Sequence, residues 1–439
     1  MIYNYYEILL LITLIASLVL KISKKLFNMI IFLGIILLLV VVGPANEDVL
    51  NWESIIKIFC IAVGIIVINF NKSKILNSSN VLTLCVVLAS TLLLSSTSLL
   101  ALYLCIELQS LSIFVLIAQE KEFAFRIEAS LKYFVLSSIS SGLFLLGSSL
   151  LFIHSGNCEV ATLVDQHYTP EKILILVSLL FKLAASPFHF WSPDVYQGSN
   201  NSTLLLLGTL PKISILGIFI ILFSGNKLLL VATILSLIVG CIGAINQSRI
   251  KRLLAYSSIV GMGFILLGIN VGSYQGIEAG TIYIFIYMIS FISILITISK
   301  SINEKPTLGE LSNLLGDNLI LLSTFGVLML SVAGIPPFGG FLSKWLVLTT
   351  AITTEFIFSS VVSILCAIIA GVYYVRLVKV GYFQEDKAFL IWKKILLGNN
   401  AMELIQASVL GISIYFVLFI LVCPGILWKP IHYGVLTIF

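Results

Sequence analysis

Residues 181–194, FKLAASPFHFWSPD, and residues 331–345, SVAGIPPFGGFLSKW, interrupt two long apolar runs with prolines, and each stretch carries one lysine. Proline removes a backbone hydrogen-bond donor and clashes with the preceding helical turn. A backbone that is broken at membrane depth persists only where it is buried in protein or lines a water-filled cavity. We therefore predict that both runs are broken membrane helices beside a functional site.

The composition places the chain among polytopic membrane proteins. Of its 439 residues 59% are hydrophobic and 10% charged, whereas about 25% are charged in a soluble domain. The seven cysteines show no CxxC or His-linked spacing, so neither a disulfide framework nor a zinc site is predicted. P-loop, GxGxxG, HExxH and nucleophile-elbow motifs are absent. The sequence therefore predicts no redox or hydrolytic chemistry by this chain alone.

Apolar runs long enough to cross a bilayer occur fourteen times along the chain. They predict an all-α polytopic membrane protein with about fourteen transmembrane helices. The predicted spans, numbered 1 to 14 in chain order, lie at residues 5–21, 27–43, 54–70, 80–95, 96–118, 131–153, 171–190, 203–224, 228–246, 252–270, 278–299, 318–354, 356–380 and 405–424.

The two proline-broken runs are spans 7 and 12, which are five spans apart. An odd-numbered unit repeated in tandem inserts upside down the second time, which is the plan of many transporters. We therefore predict two inverted five-helix repeats, each with one broken helix. The corresponding segments are a three-helix segment 1–78, a first repeat 79–225 (spans 4–8), a second repeat 226–385 (spans 9–13), and a C-terminal loop with span 14 at 386–439.

The distribution of positive charge predicts the topology. Loops that follow odd-numbered spans hold eighteen Lys and Arg residues, and those on the other side hold four. Because the side rich in Lys and Arg is cytoplasmic or matrix-facing, both termini are predicted to face away from it. The net charge of +5 would suggest nucleic acid in a soluble protein, but here we predict no nucleic-acid partner.

Four charged residues lie inside predicted spans: Glu107, Lys182, Lys212 and Lys344. A charge at the centre of a membrane helix costs about 2.5–3.5 kcal/mol on insertion scales, so such residues are functional candidates by default. A structural reading remains for each of them. Glu107 could stay protonated and bond Ser110, and lysines near helix ends extend their amines to the interface.

The functional interpretation pairs Glu107 with a buried lysine, so that moving one partner changes how strongly the other binds a proton. Lys182 and Lys344 flank the two breaks, and Lys212 follows Pro211 in mid-span. His189 lies two turns beyond Lys182 if that helix stays regular, and an imidazole suits a proton relay or an interface position. Lys132 is a further candidate at the start of span 6, where an interfacial anchor is slightly favoured.

Six segments resemble the antiporter-like subunits of respiratory complex I. They are YLCIELQSLSIFVLIA from residue 103, LKYFVLSSISSGLFLLG from 131, LLFKLAASPFHFWSPDVYQGS from 179, LPKISILG from 210, RIKRLLAYSSIVGMGF from 249 and GIPPFGGFLSKWLVL from 334. The PFHFWSPDVYQG stretch and the ELQS form are specific, whereas the GIPP and FxxK pattern is shared with multisubunit cation/proton antiporters. The family usually has proline shortly after YQGS, where this chain has Asn200 and Asn201.

The resemblance implies fourteen helices, two inverted repeats and a proton channel. In that channel the family's Glu–Lys pair matches Glu107 and Lys182, its bridging lysine matches Lys212, and its exit-half lysine matches Lys344. The implied function is that of a non-redox, proton-translocating membrane-arm subunit of NADH:ubiquinone oxidoreductase. A subunit of a multisubunit cation/proton antiporter is the alternative, and a structural scaffold with a dead channel is a third hypothesis.

The cofactors and partners are expectations from the same resemblance. No cofactor and no metal are expected in this chain, since FMN, iron–sulfur clusters and quinone belong to partner subunits. Expected partners are other membrane-arm subunits, including neighbouring antiporter-like subunits, and lipids. The sequence shows no presequence and contains many Ile, Phe, Asn and Tyr residues. This composition suits a gene in an AT-rich organellar genome. We therefore predict the mitochondrial inner membrane with both termini facing the intermembrane space, with a bacterial plasma membrane as the alternative.

Overall fold

The structure is a computed structural model that describes residues 52–70, 76–119, 124–164, 169–299, 307–308, 319–383 and 404–438. These residues form sixteen helices, and predicted spans 1 and 2 lie outside them. In chain order the helices are α1 (Trp52–Phe70), α2 (Leu76–Ser95), α3 (Leu99–Ala118), α4 (Ala124–Ser155), α5 (Val160–Val164), α6 (Pro170–Leu183), α7 (Ser192–Gly198), α8 (Asn201–Phe223), α9 (Lys227–Ile245), α10 (Ile250–Val271), α11 (Tyr274–Ile298), α12 (Leu319–Ala333), α13 (Gly339–Thr353), α14 (Ile357–Phe383), α15 (Leu404–Phe419) and α16 (Gly425–Leu436).

The all-helical prediction is confirmed. Nine helices of the described part are long and apolar enough to cross a membrane. The helix of span 7 ends at Leu183, before Pro187, and the short helix α7 begins only beyond the predicted end of that span; span 12 divides into α12 and α13, as its prolines indicated. The count of fourteen spans, the inverted repeats and the division into four segments stay predictions.

The chain forms two compact units. Unit A consists of the described parts of Met1–Ala184, Gly198–Ser224 and Pro430–Phe439. Unit B consists of the described parts of Ala185–Gln197 and Gly225–Lys429. Helix α6 therefore ends in unit A, whereas Ala185–Gln197 of the first break and the whole α12–α13 break belong to unit B.

Helix α8 forms the centre of unit A. It is apolar on every side, and 94% of the residues in its most apolar stretch are buried. This is expected for a helix surrounded by others. Helices α1, α2, α3 and α6 pack around it. Gly217 allows one of these contacts, because a Cβ there would lie 2.6 Å from Leu94 Cδ2. A side chain in α8 is thus held away from lipid on all sides.

Two contacts hold the short helix α6 against α4. Gly147 of α4 lies so close to α6 that a Cβ would meet Ile175 Cγ1 at 2.8 Å. At the end of α4, His154 Nδ1 lies 2.8 Å from the buried Glu171 Oε1, in the first turn of α6. Both contacts lie along the half of α6 that begins at Pro170. The C-terminal turn, which carries Lys182, is therefore placed by a supported helix.

Serines are frequent in α4, but their hydroxyls bond the same helix. Each donates to a carbonyl three or four residues earlier, within 2.6–3.0 Å; the donors are Ser130, Ser137, Ser138, Ser140, Ser141, Ser148, Ser149 and Ser155. Such back-bonding satisfies a hydroxyl without a neighbouring helix. Only 33% of the residues in the apolar stretch of α4 are buried. Its serines do not require burial against another helix, because each hydroxyl already has a partner.

Helices α10 and α11 form the centre of unit B, where they are 89% and 94% buried. Small residues allow their close packing, since a Cβ on Gly268 would lie 3.0 Å from the Gly280 Cα. Helix α13 packs on both, and α9 and α14 pack on each other at the side of this pair. The α12–α13 break is therefore placed against two fully surrounded helices.

Candidate functional site

The first break begins one residue after Lys182. Helix α6 ends at Leu183, and Ala184 adopts the left-handed conformation with φ 58° and ψ 32°. Its N–H donates to the carbonyls of Leu180 and Phe181. An alanine in this region costs about 1–2 kcal/mol, so the surrounding structure must impose the turn. Lys182 therefore lies in the last turn of α6, directly before the break.

The Lys182 amine is buried, and no hydrogen-bond partner for its Nζ is found among the residues that the structure describes. Its electrostatic partner is Glu107 on α3, whose carboxylate acts directly on the lysine charge. Glu107 is half-buried, and Ser110 Oγ donates to its Oε2 at 3.2 Å. The structure thus brings Glu107 and Lys182 together within unit A, with a charge interaction instead of a direct hydrogen bond.

Lys212 lies in the middle of α8, directly after Pro211, and is 1% exposed. Helix α3 packs on α8, and Gln109 Nε2 lies 3.5 Å from Ser214 Oγ across this contact. Glu107 and Lys212 therefore belong to two packed helices of one unit, which share this polar contact.

The second break brings Lys344 back onto the helix that precedes it. Although Lys344 is in the second turn of α13, its Nζ donates to the carbonyls of Val332 at 3.0 Å and Ala333 at 2.8 Å. These are the last carbonyls of α12, which have no partner within their own helix. The negative end of a helix also favours a cation. Lys344 therefore caps the helix that the prolines interrupt.

Two neighbours shape the position of the Lys344 side chain. Gly334 has φ +84°, and a Cβ there would lie 2.8 Å from Lys344 Cδ. The ring of Phe264, on α10, lies 5.5 Å from Lys344 Nζ, within the range of a cation–π contact. A glycine is needed at 334 both for the left-handed turn and for the close approach of the lysine stem.

The structure places His189 in the turn between α6 and α7, within unit B. A position two turns beyond Lys182 required a regular helix, and that condition is not met because α6 ends at Leu183. The ring stacks on Phe190 at 4.6 Å. Its Nδ1 is buried, and within the described ranges it has no hydrogen-bond partner. The relay role of His189 stays a proposal.

Lys132 lies on the outer face of α4. Its Nζ is 2.7 Å from Glu128 Oε1, and the two side chains are 41% and 63% exposed. Pairs four residues apart on an exposed helix face are stabilised only slightly. Nothing in this environment sets Lys132 apart from an ordinary boundary charge.

Sequence reasoning missed the groups that surround the candidates. They include Gln109 and Ser214 at the contact of α3 with α8, and Phe264 and Gly334 beside Lys344. No pattern in the sequence singled these four residues out. Among the described residues no three His, Cys, Asp or Glu side chains come together as metal ligands would.

The comparisons with known proteins point to one family. The model of the family described as "NADH:quinone oxidoreductase/Mrp antiporter, TM" matches residues 96–370. NADH-ubiquinone oxidoreductase chain 2 of Metridium senile is 39% identical over 354 residues, which cover 77% of this chain and 92% of that protein. NADH-quinone oxidoreductase subunit N of Pelagibacter ubique (strain HTCC1062) is 37% identical over 307 residues, 66% of this chain and 65% of that protein.

The fold is similar to a solved structure as well. A chain from respiratory complex I of Thermus thermophilus superposes with a TM-score of 0.84 at 25% identity, over 96% of this chain and 98% of that chain. The family model covers both proline-broken runs, because each lies within residues 96–370.

Proposed function

Because the chain belongs to the NADH:quinone oxidoreductase/Mrp antiporter transmembrane family, we propose that it is a proton-translocating membrane-arm subunit of an NADH:ubiquinone oxidoreductase. It moves protons through buried Glu and Lys side chains and performs no redox step. FMN, iron–sulfur clusters and quinone are held by partner subunits. Its partners are other membrane-arm subunits, including neighbouring antiporter-like subunits, and lipids.

The observation that carries this proposal is the environment of Lys182. A buried ammonium without a hydrogen-bond acceptor in the described structure depends on the Glu107 carboxylate for its stability. A Coulomb interaction weakens as the two charges separate. A displacement of either group therefore changes how strongly Lys182 holds its proton, which is what a switchable proton carrier requires.

The remaining lysines take the roles that the family resemblance implies. Lys212 bridges onward from the Glu107 and Lys182 pair, and its complete burial in α8 supports a role away from lipid. Lys344 acts in the exit half, where the α12 carbonyls hold its proton until a donor or a water replaces it. His189 is a further relay candidate at the first break, and Lys132 contributes least.

The antiporter alternative belongs to the same family description. The ELQS form around Glu107 favours the complex I assignment, and so do the names of the two relatives. Co-migration of this chain with NADH dehydrogenase activity on a native gel tests the choice directly. Migration in an assembly without that activity would favour the antiporter.

A double-mutant cycle tests the switching pair. Glu107→Gln, Lys182→Met and the double variant are measured in reconstituted complex for proton pumping per NADH oxidised. We expect the double variant to lose little more than the worse single variant, because interacting residues deviate from additivity by about 0.5–3 kcal/mol. Strict additivity would show that the two residues act independently.

A second Glu–Lys pair in the same unit provides the matched control. Glu53 and Lys57 lie four residues apart on α1, with 3.9 Å between Oε2 and Nζ. Glu53→Gln with Lys57→Met removes the same chemical groups without touching α3 or α6. We expect this pair of changes to leave pumping unchanged.

The chain is a multi-pass membrane protein, and its finer placement is part of the proposal. We place it in the mitochondrial inner membrane with both termini facing the intermembrane space, because the Lys and Arg excess lies on the other side. Labelling of cysteines introduced near each terminus, in sealed right-side-out mitoplasts, checks the orientation. Matrix-side labelling of both would overturn it.

A further inference from the structure

Unit B contains a group of buried tyrosines that the proposed route does not use. Tyr283 and Tyr287 lie one turn apart on α11, and Tyr373 and Tyr374 are consecutive on α14; these four form the tyrosine cluster. All are at most 5% exposed. The rings of Tyr283 and Tyr287 stack at 6.4 Å, and those of Tyr373 and Tyr374 lie 4.5 Å apart.

Two hydroxyls of this cluster, those of Tyr287 and Tyr373, make no hydrogen bond of good geometry within the described part of the chain, and each has one neighbouring hydroxyl, that of Ser258 and that of Tyr374 respectively. Both oxygens are buried. A buried polar group without a partner is as unfavourable as a lost hydrogen bond, so ordered water usually satisfies it. Ser258 lies beside Tyr287, and Ser257 lies beside Tyr374. The site is therefore polar enough to give a water molecule several partners.

The tyrosine cluster is connected to Lys344. The ring of Tyr283 stacks on Phe264 with 5.7 Å between centroids, and Phe264 is the ring that lies under Lys344 Nζ. Cys241 is a second common neighbour, since its side chain lies near Lys344 and near Tyr283, Tyr373 and Tyr374. Its Sγ donates to the Cys366 carbonyl at 3.1 Å, which ties α9 to α14 beside the cluster.

We propose that the hydroxyls of Tyr287 and Tyr373 bind internal water and relay protons to and from Lys344. The inference rests on the proposed function, because it presupposes that Lys344 carries a proton. Each hydroxyl accepts a proton on its oxygen as it releases its own to the next water or to the Lys344 amine. No tyrosine changes its net protonation, and the proton enters on water and leaves on lysine.

The test compares the Tyr287→Phe, Tyr373→Phe double variant with wild type in the intact complex reconstituted in proteoliposomes. Each change removes one oxygen and keeps the ring packing, so we expect a native gel to show normal assembly. The initial rate of pH-gradient formation per NADH oxidised should fall about tenfold, the change that corresponds to about 1.4 kcal/mol in a barrier. The ratio of rates in H2O and D2O should rise above wild type, because proton transfer becomes limiting.

Tyr382→Phe is the matched control. This residue is also on α14, is 43% exposed and donates to the Leu322 carbonyl at 3.3 Å, outside the tyrosine cluster. It should keep the wild-type rate and isotope ratio. Lys344→Met is measured in parallel to separate the two hypotheses.

The results for the three variants distinguish the tyrosine relay from the assignment of Lys344. Slow pumping with a raised isotope ratio in the double variant supports the relay. If Lys344→Met is impaired while the double variant matches Tyr382→Phe in both readouts, the relay is wrong and the proposed function stands. If Lys344→Met pumps at the wild-type rate, the assignment of Lys344 fails, and the relay fails with it.

Discussion

The two broken helices present their lysines in opposite ways. At the first break the Lys182 amine makes no hydrogen bond to any described residue and relies on the charge of Glu107. At the second break the Lys344 amine donates to two carbonyls at the end of α12 and lies over the Phe264 ring. The first lysine relies on a charge carried by another helix, and the second on hydrogen bonds to the end of the helix before its break.

This difference has a mechanistic meaning. A charge interaction changes continuously as the partners separate, so the proton on Lys182 responds to small motions of α3 or α6. Hydrogen bonds to helix-end carbonyls weaken steeply once distance or angle is lost. The proton on Lys344 should therefore be retained until the break itself rearranges. The first site is suited to sensing and the second to retention.

The largest expected effect is on transport, from Lys182→Met. Methionine keeps much of the stem volume and removes the amine, so pumping and coupled quinone reduction should fall about a hundredfold, as for loss of a general acid–base group. Assembly should be unaffected, because no described hydrogen bond is lost. Lys182→Arg should not restore pumping, since guanidinium hardly deprotonates.

Lys172→Met is the control for that measurement, because it removes a lysine from the first turn of the same helix. Its Nζ lies 5.9 Å from the Phe223 ring, far from the break. Activity assays and native gels on membranes with each variant decide the matter. Normal pumping by Lys182→Met would remove the basis of the comparison.

An intermediate effect, on both transport and stability, is expected from Lys344→Met. The change leaves the carbonyls of Val332 and Ala333 without their donor, which costs about 1–3 kcal/mol for each buried acceptor that stays unsatisfied. Thermal disassembly of the complex should therefore begin at lower temperature than for Lys182→Met. Equal thermal stability of the two variants would show that the helix-end bonds contribute nothing.

The smallest expected effect comes from Gly334→Ala, which sharpens the comparison because Ala184 already tolerates the same backbone region at the first break. The left-handed conformation costs alanine about 1–2 kcal/mol, and the new Cβ would also displace the Lys344 stem. We expect a several-fold loss of pumping with normal assembly. Gly371→Ala on α14, where no atom lies within 4 Å of the added Cβ, is the control and should be neutral.

Much of the fold follows from the sequence, because membrane helices are decided by length and apolarity. Every predicted span from 3 to 14 corresponds to a described helix or to a pair of broken helices. The boundaries were less accurate: α4 begins at Ala124, seven residues before the predicted start, since polar turns can extend a helix beyond the bilayer. The twelve-residue α16, with Pro430 inside it, was missed because it is too short to give a spanning signal.

The candidate site was only partly predictable. Hydropathy identifies Lys182, Lys212 and Lys344, because a charged residue within an apolar run can be recognised from the sequence alone. The groups that contact these lysines cannot be recognised in that way. The bond from Lys344 to Ala333 crosses a proline break whose geometry the sequence does not give, and Phe264 comes from a helix eighty residues earlier. Some hydroxyls donate to a carbonyl of their own helix and others find no such acceptor. Which of the two applies likewise depends on packing.

That last property has a consequence for α4. The hydrogens of its eight serine hydroxyls are all donated to carbonyls of the same helix, so none of them is left to donate to water or to a neighbouring helix. The oxygens can still accept a hydrogen bond. A count of polar residues therefore overstates how many hydrogen-bond donors a membrane helix offers to its surroundings.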